Sequence, residues 1–153
     1  MTRGASDPAP LAGLAIYLAF LIAQRISELV LSAANRRRLL ARGAREFGGG
    51  HFPLLVAVHV LLPLSLAGEV LVLGARPPAA WPLWLAAWLA AQALRYWAVA
   101  TLGERWNVRV YVLPGVPLVT RGPYRFLRHP NYVAVVVELI AGPLMFGDRK
   151  SVV

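Results

Sequence analysis

Four apolar runs constrain this chain more than any other feature. Leu11 to Leu31 is 21 residues of mostly Leu, Ala and Ile, close to the ~20 that a helix needs to cross ~30 Å of hydrocarbon. It is too long for a signal-peptide core, its lead-in is barely basic and no small-residue cleavage site follows, so it is expected to stay attached. Phe52 to Leu73 is a second run, punctuated by Pro53 and Pro63. Trp81 to Leu102 is a third. Trp81 and Trp84 stand at one end of it, and Trp97 and Trp106 stand towards the other, as in the aromatic belts of a bilayer. Tyr132 to Phe146 is a fourth run of 15 residues, too short to cross alone. The expected fold is therefore all-α: a multi-span membrane bundle of three full spans and a partial fourth, forming one domain over residues 1–147.

Charge decides between membrane and nucleic acid. The chain is 58% hydrophobic, yet its formal net charge is +9, carried by fifteen arginines and a single lysine, Lys150. A basic soluble domain would fit a nucleic-acid partner, but apolar runs of this length favour a membrane, and no nucleic acid is expected. The absence of cysteine excludes disulfides, Cys–zinc sites and thiol nucleophiles, and leaves the redox compartment open. Arg36, Arg37, Arg38, Arg42 and Arg45 lie between runs one and two, and Arg105, Arg109, Arg121, Arg125 and Arg128 follow run three. Only Arg3 and Arg76 fall on the other side. The asymmetry places the N-terminus outside and both basic segments in the cytoplasm.

Polar residues interrupt the apolar runs. Arg25, Glu28, Ser32 and Asn35 are spaced by three, four and three, which is one stripe on a helix. His59 and Glu69 fall in the second run, Gln92 and Arg95 in the third and Glu138 in the fourth. Charge in lipid is costly unless paired, so these groups are expected to face one another inside a bundle. One reading makes Arg25–Glu28, and Arg95 with Glu69 or Glu138, structural ion pairs. The other has at least one of Glu28, Glu69 and Glu138 line a substrate site, with Arg25, Glu28 and Glu138 as the candidates.

Several other features carry no chemistry of their own. His51 and His59 lack metal-ligand spacing, so no metal site is expected. None of the five serines sits in a nucleophile elbow. "FGGGH" (47–51) has neither a preceding strand nor a P-loop lysine, so it is not a phosphate cradle. The Arg36–Arg38 cluster reads as a topology determinant that also touches anionic headgroups.

The densest chemistry is "RGPYRFLRHPNY" (121–132). Ahead of it, Val108 to Val112 alternates β-branched residues with Arg109 and Tyr111 and predicts a short extended segment, and "LPGVP" (113–117) predicts a turn. Pro123 can open a short helical turn through His129, and Pro130 can open a helix at its first position. A patch that merely held lipid headgroups would need only charge. Two backbone-fixing prolines and rigid aromatics suit a small ligand of mixed charge: arginine for a carboxylate, backbone groups for an adenine, tyrosine faces for a cation.

"LVTRGPYRFLRHPNY" (118–132) closely resembles the signature of the isoprenylcysteine carboxyl methyltransferase family, R-H-P-x-Y after a G-x-Y. "GERWNVRVYVLPG" (103–115) resembles that family's approach to the motif, and "RISELVLSAANRRRLLARGAREFGGGHFP" (25–53) is similar to a bacterial branch, which implies the bacterial inner membrane. The resemblance implies a multi-span enzyme that binds S-adenosylmethionine and methylates the carboxylate or hydroxyl of a lipophilic acceptor. A prenylcysteine, an isoprenoid acid and a long-chain phenol or pyrone all fit. It assigns cofactor contacts to Val116, Pro117, Leu118, Val119, Tyr124, His129, Pro130, Asn131 and Tyr132, with Arg109 as a further polar contact. No catalytic base is assigned. Two departures stand out. Ala134 replaces a position that is commonly Gly, and the family's closing helix, with its Arg and Glu, is absent after Phe146. "DRKSVV" (148–153) holds the lone lysine, and one reverse translation of it, GAT-CGG-AAG-AGC-GTC-GTG, matches a sequencing adapter. The tail is therefore read as non-native, against the alternative of a genuine short tail. The rival function is a non-catalytic membrane protein whose arginine loops hold headgroups or a partner.

Overall fold

The computed structural model describes residues 8–47, 50 and 52–147. His51 and the 148–153 tail lie outside them. The elements are α1 (Pro8–Ala41), β1 (Arg45–Phe47), α2 (Phe52–Leu73), α3 (Trp81–Leu102), β2 (Val110–Val112) and α4 (Pro130–Phe146).

Helix α1 runs 34 residues, a rise of about 51 Å, and so extends ten residues past the apolar run that announced it. The sequence reading placed Arg36–Arg38 in a connecting loop, whereas the structure carries them on the last turns of the helix. The reason is in the spacing. Leu14, Tyr17, Gln24, Glu28, Ser32, Asn35 and Leu39 are all buried at intervals of three, four or seven, so one packing face continues through the basic segment. Arginine is a good helix former and suits the negative end of the helix dipole. The helix stops where Gly43 adopts φ 83°. There Ala44 N donates to Leu39 O at 3.0 Å and Gly43 N to Leu40 O at 3.0 Å, which closes a Schellman turn.

Helices α1 and α3 run parallel, and α4 runs antiparallel to both. Gln24 meets Gln92, Glu28 meets Arg95 and Asn35 meets Gly103, whereas Arg95 meets Glu138. One core lies towards the start of α1 and α3. It is built from Leu14, Tyr17, Leu66, Val70, Trp88, Ala141 and Met145, with the Tyr17 ring tilted on Trp88 (5.6 Å) and on Phe146 (5.2 Å). The outside of the bundle is apolar. Ile16, Ile22, Val30, Leu61, Leu71, Val72, Leu83 and Ile140 are all exposed, while Glu28, Asn35, Gln92, Arg95 and Glu138 are buried. Charge inside and hydrocarbon outside reverses the arrangement of a water-soluble domain and is that of a protein surrounded by lipid.

By length and hydropathy together, α1 over Leu11–Ala41 is the described helix that meets the requirement for a span. Val56–Val72 in α2 and Pro130–Phe146 in α4 are shorter apolar stretches, and α3 carries Gln92 and Arg95 near its middle. The fold is not purely helical. β1 and β2 pair antiparallel, with Glu46 opposite Tyr111. The extended segment expected at 108–112 is present at Val110–Val112, but its partner strand lay unseen in the basic connection. The turn expected from "LPGVP" is present, with Gly115 at φ 76°. Pro123 opens only a short 3-10 turn, Gly122–Arg125, and His129, the residue before Pro130, is kept out of the helical region at φ −134° and ψ 64°. Pro130 begins α4 in the first turn, where its missing N–H costs nothing.

Gly142 is where α4 closes on α1. A Cβ at that position would collide with the Tyr17 hydroxyl and lie 3.2 Å from Tyr17 Cζ. Gly142→Ala gains about 1 kcal/mol of helix propensity but overpacks a site where such changes cost about 1–3 kcal/mol. We expect it to lower the thermal midpoint in detergent when Tyr17 is present and to leave it unchanged or raised in a Tyr17→Phe background. An equal effect in both backgrounds would refute this contact.

Candidate functional site

The buried polar residues form one layer across three helices. Arg95, 1% exposed, donates from Nε to Glu138 Oε1 at 2.8 Å and from Nη1 to Glu28 Oε1 at 3.1 Å. Its Nη2 also meets Glu138 Oε2. Arg25 pairs with Glu28 Oε2 at 2.7 Å and lies 3.7 Å from Glu138 Oε2. Gln24 donates to Gln92 Oε1 at 2.5 Å, and Gln92 passes a 3.0 Å hydrogen bond on to Glu138. Two guanidinium groups and two carboxylates make the layer electrically neutral, which is what makes burial tolerable. Of the two acids offered for Arg95, Glu138 is the partner, and Glu28 joins it. Glu69 lies elsewhere, 3.5 Å from where a Cβ on Gly147 would stand. Arg25 is the one member with open surface, its side chain 29% exposed. Gln24 was missed in the sequence, although its spacing from Tyr17 and Glu28 by seven and four puts it on the buried face.

The upper half of the α1 stripe holds the loop that follows α3. Asn35 donates to the carbonyls of Gly103 (3.1 Å) and Trp106 (2.8 Å), just past the end of α3. Ser32 donates to Asn107 Oδ1 at 2.6 Å and accepts from Val108 N at 3.3 Å, while Asn107 Nδ2 returns a bond to Ser32 O at 3.0 Å. Ser32 and Asn35 therefore clamp a loop. On the rim, Arg36 reaches the Tyr111 hydroxyl at 3.1 Å and Arg38 reaches Glu104 at 3.3 Å. These contacts, with the β1–β2 pairing, gather the two arginine-rich segments at one end of the bundle.

At that end, a groove of about 400 Å³ is lined by Thr101, Leu102, Arg105, Pro117, Leu118, Val119, Thr120 and Arg121. Arg105 Nη1 donates to the Pro117 carbonyl at 2.7 Å and pins the 117–121 strip across the end of α3. Gly122, at φ 59°, packs against Thr101, whose Cγ2 would stand 2.9 Å from an added Cβ. The glycine of R-G-P-Y is thus required by close approach as well as by backbone geometry. Beyond it, Pro130 is buried, and the rings of His129 and Tyr132 stack at 5.4 Å with both residues exposed. Asn131 Oδ1 is buried without a donor among the described residues. Burial pushes the Tyr124 hydroxyl above the ordinary phenol range, so it stays a neutral donor.

Of the residues singled out in the sequence, Pro117, Leu118 and Val119 therefore share one groove, and Leu118 projects from it, 90% exposed. Val116 lies in the turn just before the groove, its N–H 3.4 Å from Leu113 O. His129 and Tyr132 form a separate stacked pair. Arg109 belongs to the small sheet, where it pairs with Glu46 at 2.8 Å. Thr101, Arg105 and Arg121 were not foreseen as lining residues, because the groove forms only when 117–121 folds back on α3.

A sequence profile of the isoprenylcysteine carboxyl methyltransferase (ICMT) family matches residues 84–153. The uncharacterized protein YpbQ of Bacillus subtilis (strain 168) is 40% identical over 131 residues, which are 86% of this chain and 78% of YpbQ. The chain belongs to the isoprenylcysteine carboxyl methyltransferase family. Membership implies a membrane methyltransferase, and the profile match spans most of α3, the groove and α4. An uncharacterized protein of Haemophilus influenzae is 26% identical over 135 residues, 88% of this chain and 78% of that protein. No solved structure matches the chain.

Two outcomes test the geometry. Arg95→Leu leaves two buried carboxylates facing each other and is expected to cost about 3–5 kcal/mol, whereas Arg25→Leu, at the exposed flank, costs clearly less. Chemical or thermal unfolding in detergent measures both, and equal losses would contradict the assignment of Arg95 as the centre. In the sheet, the Tyr111 hydroxyl (2.8 Å) and then the Arg109 guanidinium hold the Glu46 carboxyl below its ordinary range. The folded value is the lower one, so this stabilisation is complete above the ordinary carboxylate pKa and disappears as pH falls through the depressed value. An NMR titration of the Glu46 carboxyl should give a midpoint below that of an exposed glutamate and move upward in Tyr111→Phe. An unmoved midpoint would remove Tyr111 as the cause.

Proposed function

We propose that this protein transfers a methyl group from S-adenosylmethionine to a carboxylate or hydroxyl oxygen of a lipophilic acceptor. The observation that carries the reading is the loop-end groove. It gathers Pro117, Leu118 and Val119 beside Arg105 and Arg121, and the chain runs on through the Gly122–Arg125 turn to His129, Asn131 and Tyr132 at the start of α4. The donor set fits the cofactor's mixture of groups. Guanidinium groups suit a carboxylate, and exposed aromatic faces suit a sulfonium or a base. When bound, S-adenosylmethionine supplies an activated methyl group, and a carboxylate oxygen accepts methyl without a strong base. The work left to the protein is positioning. The 117–121 strip, held by Arg105 and by Gly122 against Thr101, provides a pre-formed wall.

Both arginine-rich segments meet at this end, which supports a cytoplasmic groove and an N-terminus outside. An acceptor with a prenyl or other long chain would approach from the apolar exterior while its polar end reached the groove. Arg25, half-buried on the flank of the buried layer beside Glu28 and Glu138, remains the acceptor-side candidate nearest open surface.

Calorimetry of S-adenosylmethionine with detergent-solubilised protein tests the site. His129→Ala and Tyr132→Ala are each expected to weaken binding by about 1–3 kcal/mol. Wild-type affinity in both would reject the site and favour the rival reading, in which the arginine loops only hold headgroups.

A further inference from the structure

The opposite end of the bundle contains a cavity that the methyl-transfer reading does not use. Its volume is about 610 Å³, within the range of small-molecule pockets. Its walls come from the first turns of α1 (Tyr17), the start of α3 (Trp81, Leu85, Trp88), the end of α4 (Phe146) and Arg76 in the α2–α3 connection.

One of these residues points to a ligand. Arg76 is exposed and forms no ion pair with a described residue. The remaining wall is hydrocarbon and aromatic ring, including Phe20 edge-on to Trp88 at 5.1 Å. An apolar cavity with one exposed cation in its wall matches an amphiphile with a long chain and an anionic head.

The cavity cannot be an extension of the loop-end groove. Trp88 and Thr101 are thirteen residues apart on α3, a rise of about 20 Å. Gln92 and Arg95 lie between them, in the charged layer that closes the bundle. A chain running from one site to the other would have to pass buried, fully paired charge.

We propose that this cavity is a second binding site, taking an acyl chain of an anionic bilayer lipid whose headgroup pairs with Arg76. The site does not depend on methyl transfer. The test uses the full chain in nanodiscs of phosphatidylcholine that contain increasing phosphatidylglycerol with brominated acyl chains, bromine being a contact quencher of tryptophan. Quenching should saturate at a low mole fraction of the brominated anionic lipid. Arg76→Gln, at an exposed position, should raise the half-saturating fraction about tenfold, as for loss of a charge-assisted hydrogen bond. Leu85→Phe, which fills the cavity, should abolish the saturable part. Quenching that rises linearly, is equal for brominated phosphatidylcholine, or is untouched by both substitutions overturns the proposal. A dimer that Leu85→Phe disperses overturns it too, because the occupant would then be a second copy of the chain.

Discussion

Arg95 has no water to retreat to. Set in the middle of an apolar helix and almost wholly buried, its guanidinium must find anions at fixed positions, and it finds Glu138 on α4 and Glu28 on α1. In a low-dielectric interior the penalty for missing either partner is several kcal/mol. That requirement sets the axial register of α1, α3 and α4 more stringently than interchangeable aliphatic contacts could. With Arg25 completing a neutral quartet and Gln24 and Gln92 bridging the remaining lone pairs, sliding any one helix by a turn would strand a charge. Such a layer resembles a registry pin more than a source of net stability.

Both ends of the bundle inherit this register. Above the layer, the same face of α1 continues as Ser32 and Asn35 and clamps residues 103–108, so the loop that leads into the groove is anchored to the helix that meets Arg95. Arg105 and Gly122 then lay the 117–121 strip across the end of α3. Below the layer, Tyr17 packs on Trp88, Phe146 and Gly142, and the aromatic cavity lies beside them. The molecule is thus divided by charge into a polar, arginine-rich end and a greasy, aromatic end. On the proposed function, that division would keep a water-borne methyl donor and a lipid chain in separate compartments except where the loop end meets the bilayer surface.

Several features were legible in the residues alone because they depend on neighbours in sequence. Apolar runs gave helices, Pro130 gave the start of α4, Gly115 gave a turn, and the three–four–three spacing from Arg25 to Asn35 gave a polar stripe. The family was legible too, since R-H-P-N-Y is a contiguous motif. The stripe was displaced by one residue at its start: Gln24 faces inward and Arg25 flanks it, because helical phase follows 3.6 residues per turn and not the identity of the most conspicuous charge.

What the sequence determined by itself is local: which segments are helical, where they begin and stop, and that charge inside them must be paired. It could not say that Arg95 would choose Glu138 and Glu28 over Glu69, since an ion pair between residues more than forty positions apart is decided by how helices dock. Nor could it show that Arg45–Phe47 becomes a strand, because those residues pair only once Val110–Val112 is brought beside them. The groove and the aromatic cavity belong to the same class. Each is a space between elements, defined by the surfaces that packing leaves uncovered, and no single stretch of sequence contains it.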